Sequence, residues 1–347
     1  MSEVIPQPVL DPLSPAAVFL VLTVEHGGES VVNDAVSNLS GLVRAIGFRD
    51  PAKCLSLVCS FGSKVWDRLF SGPRPAELHP FIELTGARHT APSTAGDILL
   101  HIRAQTMDVC FSLADEILKS MRGAVTVVDE VHGFRLFDNR DVLGFVDGTE
   151  NPGGLLARQA TTIGDEDPPF TGGSYVHVQK YLHDMTAWDA LSTTEQELAI
   201  GRSKLEDIEM PDAAKPKNSH LALNVIEDAD GNQLQIMRYN MPFGELGKDE
   251  YGTYYIAYAR TPSITERMLR NMFIGDPPGN TDRILDFSHP VTGTLFFTPT
   301  ADFLDNPPPL PVIPPESHTA PPLSSTQESG TLNIGSLKPI DPPHHED

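Results

Sequence analysis

The order in which apolar runs change their period is the strongest constraint on how this chain can fold. "AAVFLVLTVE", Ala16 to Glu25, is continuous and β-branched, the pattern of a buried strand. "SVVNDAVSNLSGLVRAIGF" follows, with Val32, Val36, Leu39, Val43 and Ile46 at helical spacing. The strand-like "CLSLVCSFG" and "GDILLHIRAQ" then precede a helical "MDVCFSLADEILKSM" and a strand-like "AVTVVDEVHGFRLF". This is the β-α-β-β-α-β order of a ferredoxin-like unit. The order partly recurs further on. "GGSYVHVQKYL" reads as a strand, "TAWDALSTTEQELAIG" as a helix starting near Thr193 or Thr194, and "NQLQIMRYNMPF" and "GTYYIAYAR" as strands. "SITERMLRNMFIG" reads as a helix capped by Ser263 with Glu266 three residues on, and "TGTLFFTP" as the closing strand. The expected fold is therefore α+β, two ferredoxin-like units with antiparallel sheets and peripheral helices. They would cover residues 16–140 and 141–303, behind an N-terminal arm of residues 1–15.

From residue 304 the composition changes. "DNPPPLPVIPPESHTAPPLSSTQESG" is rich in Pro, Ser and Thr and has no periodicity, so burial cannot repay its ordering entropy. A disordered tether over residues 304–347 is expected. Near its end "GTLNIGSLKPI" brings back Leu332, Ile334 and Leu337, apolar anchors suited to docking on a partner.

Charge narrows the partners. With 47 Asp and Glu against 25 Lys and Arg, the formal net charge of −22 argues against nucleic acid and anionic membranes. No apolar run approaches the ~20 residues that span a bilayer, and "MSEVIPQPVLDPLSP" lacks the form of a signal peptide, so a cytoplasmic location is expected. Cys54, Cys59 and Cys110 fit no common zinc spacing and read as buried free thiols.

Two stretches carry chemistry. In "LGFVDGTENP" the acid Asp147 closes an apolar run and Gly148 lets the backbone turn sharply, so the carboxyl can project from a strand end. In "QIMRYN" strand alternation puts Arg238 and Asn240 on one face and Tyr239 on the other. A buried arginine needs an anion or a developing negative charge opposite it. His220, in "KPKNSHLALNVI", sits between a polar loop and an apolar segment, where a ligand can face a pocket. No zinc helix, nucleophile elbow, phosphate loop or dinucleotide fingerprint appears.

Together, "GFVDGTENP", "GDEDPPFTGGSYVHVQKYLHDM", "NSH", "MRYN" and "GTLFF" resemble, in order, the dye-decolourising peroxidases, and within them the bacterial B-type branch. The resemblance spans nearly all of Ala16 to Thr300 and includes the family's GxxDG signature as Gly144, Asp147 and Gly148. The segment between Asn151 and Asp165 departs from the pattern. The resemblance implies one haem b (iron protoporphyrin IX) per chain, held mainly by the second half. It places His220 as the axial iron ligand and Asp147, Arg238 and Asn240 as the distal acid, arginine and asparagine. Asp282, with Asp286 as the alternative, would hydrogen-bond the proximal imidazole. Gly148, Thr149 and Glu150 would lie against the cofactor, Arg202 would meet a propionate, and Leu295 and Phe297 would line the haem face.

The implied reaction reduces hydrogen peroxide through a ferryl intermediate and oxidises dyes, phenols or other small donors, with Mn(II) a candidate on this acidic surface. "TLNIGSLKPI", at about residues 330–340, resembles the peptides that load such peroxidases into encapsulin shells, which implies an encapsulin partner and a place inside its nanocompartment. A homo-oligomer, from dimer to hexamer, is also implied. The alternatives on the same fold are a haem carrier or sensor, and an enzyme that removes iron from haem.

Overall fold

Both faces of the first strand are buried, which is why its sequence is continuously apolar rather than alternating. In the computed structural model, which describes residues 4–312, Val18, Leu20 and Leu22 face one core and Ala17, Phe19 and Val21 the other. The first core lies under helices that bring in Val32, Val36, Leu113 and Ile117. Of the tether expected over 304–347, residues 304–312 are described and the targeting peptide at about 330–340 lies outside them. The ordered chain runs past the expected boundary, because the helix Ala301–Asp305 buries Leu304 and the Pro309 carbonyl accepts from the Ser71 N–H at 3.0 Å.

Among the described residues the main sheet has ten strands, all antiparallel to their neighbours. They are β1 (Ala16–Val24), β2 (Ser56–Gly62), β3 (Ile98–Ala104), β4 (Val125–Phe134), β5 (Ser174–His183), β6 (Met237–Arg238), β7 (Met241–Glu245), β8 (Glu250–Ala259), β9 (Ser288–Pro290) and β10 (Thr294–Thr298). The order β6-β8-β5-β10 in the second half repeats the order β2-β3-β1-β4 of the first: second, third, first, fourth. The halves do not keep separate sheets. Phe296 and Phe297 of β10 pair with Gly62 and Phe61 of β2, so each half covers the other's open edge. The sheet also curls on itself, and β4 comes against β7 so closely that a Cβ on Gly133 would fall 2.7 Å from the Cβ of Met241.

Three expected elements are broken, each by a polar side chain. The first helix splits into Glu29–Ser37 and Leu39–Gly47 because the Asn38 side chain donates to the Asp34 carbonyl at 2.7 Å, taking the acceptor its own N–H would use. The Asn38 N–H turns to Ala35 instead. The helix expected around Thr193 becomes Met185–Asp189 and Thr193–Ile200, the latter capped by Ser192 in a reciprocal box with Glu195. "NQLQIMRYNMPF" is three short strands, and the break between the second and third falls where Asn240 Oδ1 takes the Ile256 N–H at 3.0 Å in place of a backbone carbonyl.

The helix Pro262–Phe273 is capped by Thr261 rather than Ser263, and Glu266 lies 3.1 Å from His79 Nε2. Cys59 and Cys110 are buried free thiols as expected, whereas Cys54 is exposed. Among the described residues no helix is long and apolar enough to cross a membrane.

Candidate active site

A cavity of about 1150 Å³, counting its open mouth, lies in the second half of the fold. Its walls come from Tyr181 and His183 on β5, Thr253 and Tyr255 on β8, the Met268–Met272 face of a helix, and the loop Asp141–Glu150. Asp147, Gly148, Thr149, Glu150, Arg202, His220, Arg238 and Asn240 all line it, although they come from four separated stretches of sequence.

The loop is built to present Asp147. Its N–H donates to the Asn139 carbonyl at 2.8 Å, and Gly148 turns the chain at a φ of +84°, where a side chain would be strained. The turn closes with Asn151 N–H donating to the Gly148 carbonyl at 3.0 Å. Asn151 then acts as a one-residue strand. Its Nδ2 donates to the Arg238 carbonyl at 2.8 Å and its Oδ1 accepts from the Arg238 N–H at 2.9 Å. The motif that carries the acid therefore also fixes the backbone that carries the guanidinium. Arg238 Nε is buried without a partner among the described residues.

His220 opens the short helix His220–Asn224, whose cap is the Ser219 side chain. Its Nδ1 lies 2.7 Å from Asp282 Oδ2, and Asp282 is fully buried. Asp282 Oδ1 accepts from the Ile284 N–H at 3.0 Å, while Asn224 Nδ2 donates to the His220 carbonyl at 2.7 Å. These contacts fix the ring and leave Nε2 as the nitrogen available to a metal. Asp286 is not the partner, since it pairs with Arg88 at 2.7 Å and His89 at 3.3 Å.

Further round the wall, Arg202 binds Glu150 at 2.6 Å and the Asp207 carbonyl at 2.7 Å, and Thr149 Oγ1 donates to Asp207 Oδ2 at 2.9 Å. A buried cation is thus held at the cavity by a partly exposed carboxylate. Burial raises the Asp141 carboxyl to about 7, with the neighbouring charge of Asp147 adding to the effect. Burial lowers the His183 imidazole to about 4, so that ring is neutral, held by Ser288 at 2.7 Å and Thr253 at 2.9 Å.

Two expected cofactor contacts fail. Leu295 and Phe297 do not line the cavity; both are fully buried in the core under the helices, Phe297 edge-on to Trp66 at 5.4 Å. β10 is a central strand covered on both faces, which a short "TLFF" run cannot reveal. Asn151, Asn224 and His183 were missed. Asn151 alone left a trace, an amide placed before proline at the end of the acid's own motif.

The donor set suits haem. One fixed imidazole is what a porphyrin iron needs from the protein, because the macrocycle supplies four nitrogens. The buried Arg202 suits an anionic edge, and the unpartnered Arg238 Nε suits a polar ligand. Family models decide the matter: the Dyp-type peroxidase N-terminal model matches residues 6–135 and the C-terminal model residues 138–303.

The chain belongs to the Dyp-type peroxidase family.

Among family members, it is 70% identical over 333 residues to the dye-decolorizing peroxidase of Mycolicibacterium paratuberculosis, covering 96% of this chain and 92% of that one. It is 70% identical to an encapsulated DyP-type peroxidase from Mycobacterium smegmatis solved by cryo-EM, with a TM-score of 0.88 over 89% of this chain and all of that one. Variants of DypB from Rhodococcus jostii RHA1, solved with heme and with manganese, are 55% identical with a TM-score of 0.85, over 87% of this chain and 98% of theirs.

Proposed function

We propose that the chain is a haem peroxidase that reduces hydrogen peroxide and oxidises dyes, phenols or other small donors. The observation that carries this reading is the convergence of His220, Asp147, Arg238 and Asn240 on one cavity. His220 Nε2 would hold the iron, with Asp282 accepting from Nδ1 and so making the imidazole a stronger donor. Arg202 would meet a carboxylate at the cofactor's edge. When bound, haem supplies the electrons that cleave the O–O bond.

The remaining work falls to side chains. A carboxylate oxygen of Asp147 takes the proton from one peroxide oxygen and delivers it to the other, which leaves as water. Arg238 supplies a fixed positive charge where negative charge develops. Asn240 acts through Nδ2, as a donor, because its Oδ1 is committed to the Ile256 N–H. The apolar wall of Phe145, Ile236 and Leu269 keeps bulk water from competing for these groups. Absorption spectra of the purified protein before and after one equivalent of peroxide test cofactor, ligand and activity together. A colourless protein, or a haem band indifferent to peroxide, would overturn the reading.

The encapsulated relative and the terminal "TLNIGSLKPI" support a second part of the proposal, that the chain is cargo of an encapsulin shell. The manganese-bound relative and this chain's acidic charge support Mn(II) as one donor.

A further inference from the structure

A second cavity, of about 520 Å³ with its mouth, lies behind the wall that carries Asp147, Arg238 and Asn240 and shares those three residues and Gly148 with the first. His101 and Tyr239 line it, and with Tyr258 they form a triangle whose ring centroids are 6.0 to 6.1 Å apart. All three are buried, His101 and Tyr258 completely.

The two phenols differ in what they can do with a proton. Tyr258 Oη lies 3.0 Å from His101 Nδ1, its one hydrogen-bond partner among the described residues, and with the imidazole proton on Nε2 the phenol O–H donates to Nδ1. Tyr239 donates at 3.1 Å to the Asp11 backbone carbonyl, which cannot keep a proton. The Arg103 guanidinium also stands 4.7 Å from the centre of the Tyr239 ring, and a cation over the ring makes an electron harder to remove. His101 is neutral, because burial and then Arg103 hold its imidazole well below the usual range. Its Nε2 has no partner among the described residues, so Nδ1 is the nitrogen engaged.

We propose that Tyr258 and His101 form a redox pair that stores one oxidising equivalent when peroxide reacts faster than donors arrive. This inference rests on the peroxidase reading above. Tyr258 gives one electron to the centre that peroxide has oxidised, which is thereby reduced by one electron. Its O–H bond breaks and the proton bonds to His101 Nδ1, leaving a neutral phenoxyl and an imidazolium. One electron from a donor, with return of the proton from Nδ1, restores the phenol and the neutral ring. A buried imidazolium beside Arg103 is unfavourable, so the proton is poised to go back. Because Tyr258 is shielded from solvent, the equivalent is held rather than lost to chance reductants.

Freeze-quench electron paramagnetic resonance on the haem-loaded full chain, one equivalent of peroxide and no donor, tests the pair. We expect a radical signal that narrows with ring-deuterated tyrosine, disappears in Tyr258→Phe and survives in Tyr239→Phe. His101→Gln keeps a hydrogen-bonding group but removes the base, and should slow the signal's formation by about 100-fold, the low end for a positioned base. An unchanged signal in Tyr258→Phe would overturn the inference. So would its absence from wild type when the haem band has responded to peroxide. A haem band that does not respond would overturn the peroxidase reading, and this inference with it.

Discussion

Replacing Asn151 by alanine tests whether the loop motif positions the arginine as well as the acid. The substitution removes both hydrogen bonds to the Arg238 backbone, at 2.8 and 2.9 Å, and leaves a half-buried N–H and carbonyl without their partner. Each bond contributes about 0.5–1.5 kcal/mol net, so the segment that holds Arg238 loses about 1–3 kcal/mol. If that loss is felt where charge develops on peroxide, it corresponds to a rate reduction of about 5- to 150-fold. The assay is stopped-flow absorbance of the haem band against peroxide concentration, with the second-order rate constant as readout. His220 and Asp282 are untouched, so the resting spectrum and haem content should match wild type. A rate within threefold of wild type, with haem bound normally, would refute the claim that Asn151 positions Arg238.

Four further outcomes are expected. Arg238→Leu should slow the peroxide reaction by about 10²–10³-fold, more than Asp147→Asn does, in the same stopped-flow measurement. Asp282→Asn should weaken haem retention by about 10- to 100-fold and shift the haem band, as read by titration with haem, because the proximal imidazole loses its anionic partner. Asp141 gives a pH signature. Its carboxyl is raised by burial to about 7, so between about 4 and 7 the folded chain holds a proton that the unfolded chain releases, and stability falls as pH rises through that window. Asp141→Asn should therefore gain thermal stability over wild type across that range and show a constant difference above it, by melting at stepped pH. Deleting Gly330–Asp347 should leave peroxidase turnover intact and abolish co-purification with a co-expressed encapsulin shell.

Several features were legible in the chain because they follow from local periodicity or from one short motif. The α+β order shows in where apolar residues recur, and Arg238 and Asn240 share a face because a strand alternates whatever it pairs with. The sharp turn after Asp147 shows in the glycine that follows it. His220, Asp147, Arg238 and Asn240 could be named from motif resemblance, and the cavity gathers all four.

Other features needed the folded chain, because they depend on partners far away in sequence. Asp282 and Asp286 are four residues apart and chemically alike. Only folding sends one to His220 and the other to Arg88 and His89. Leu295 and Phe297 look like cavity lining until β10 is seen wedged between β5 and β2, where both faces are spent on core. Asn38 and Asn240 interrupt regular elements because their amides compete with the backbone, a contest whose winner depends on geometry rather than composition. Residue order sets which groups are available and how they alternate. Folding settles which of them meet, because burial and hydrogen bonding are properties of the assembled surroundings.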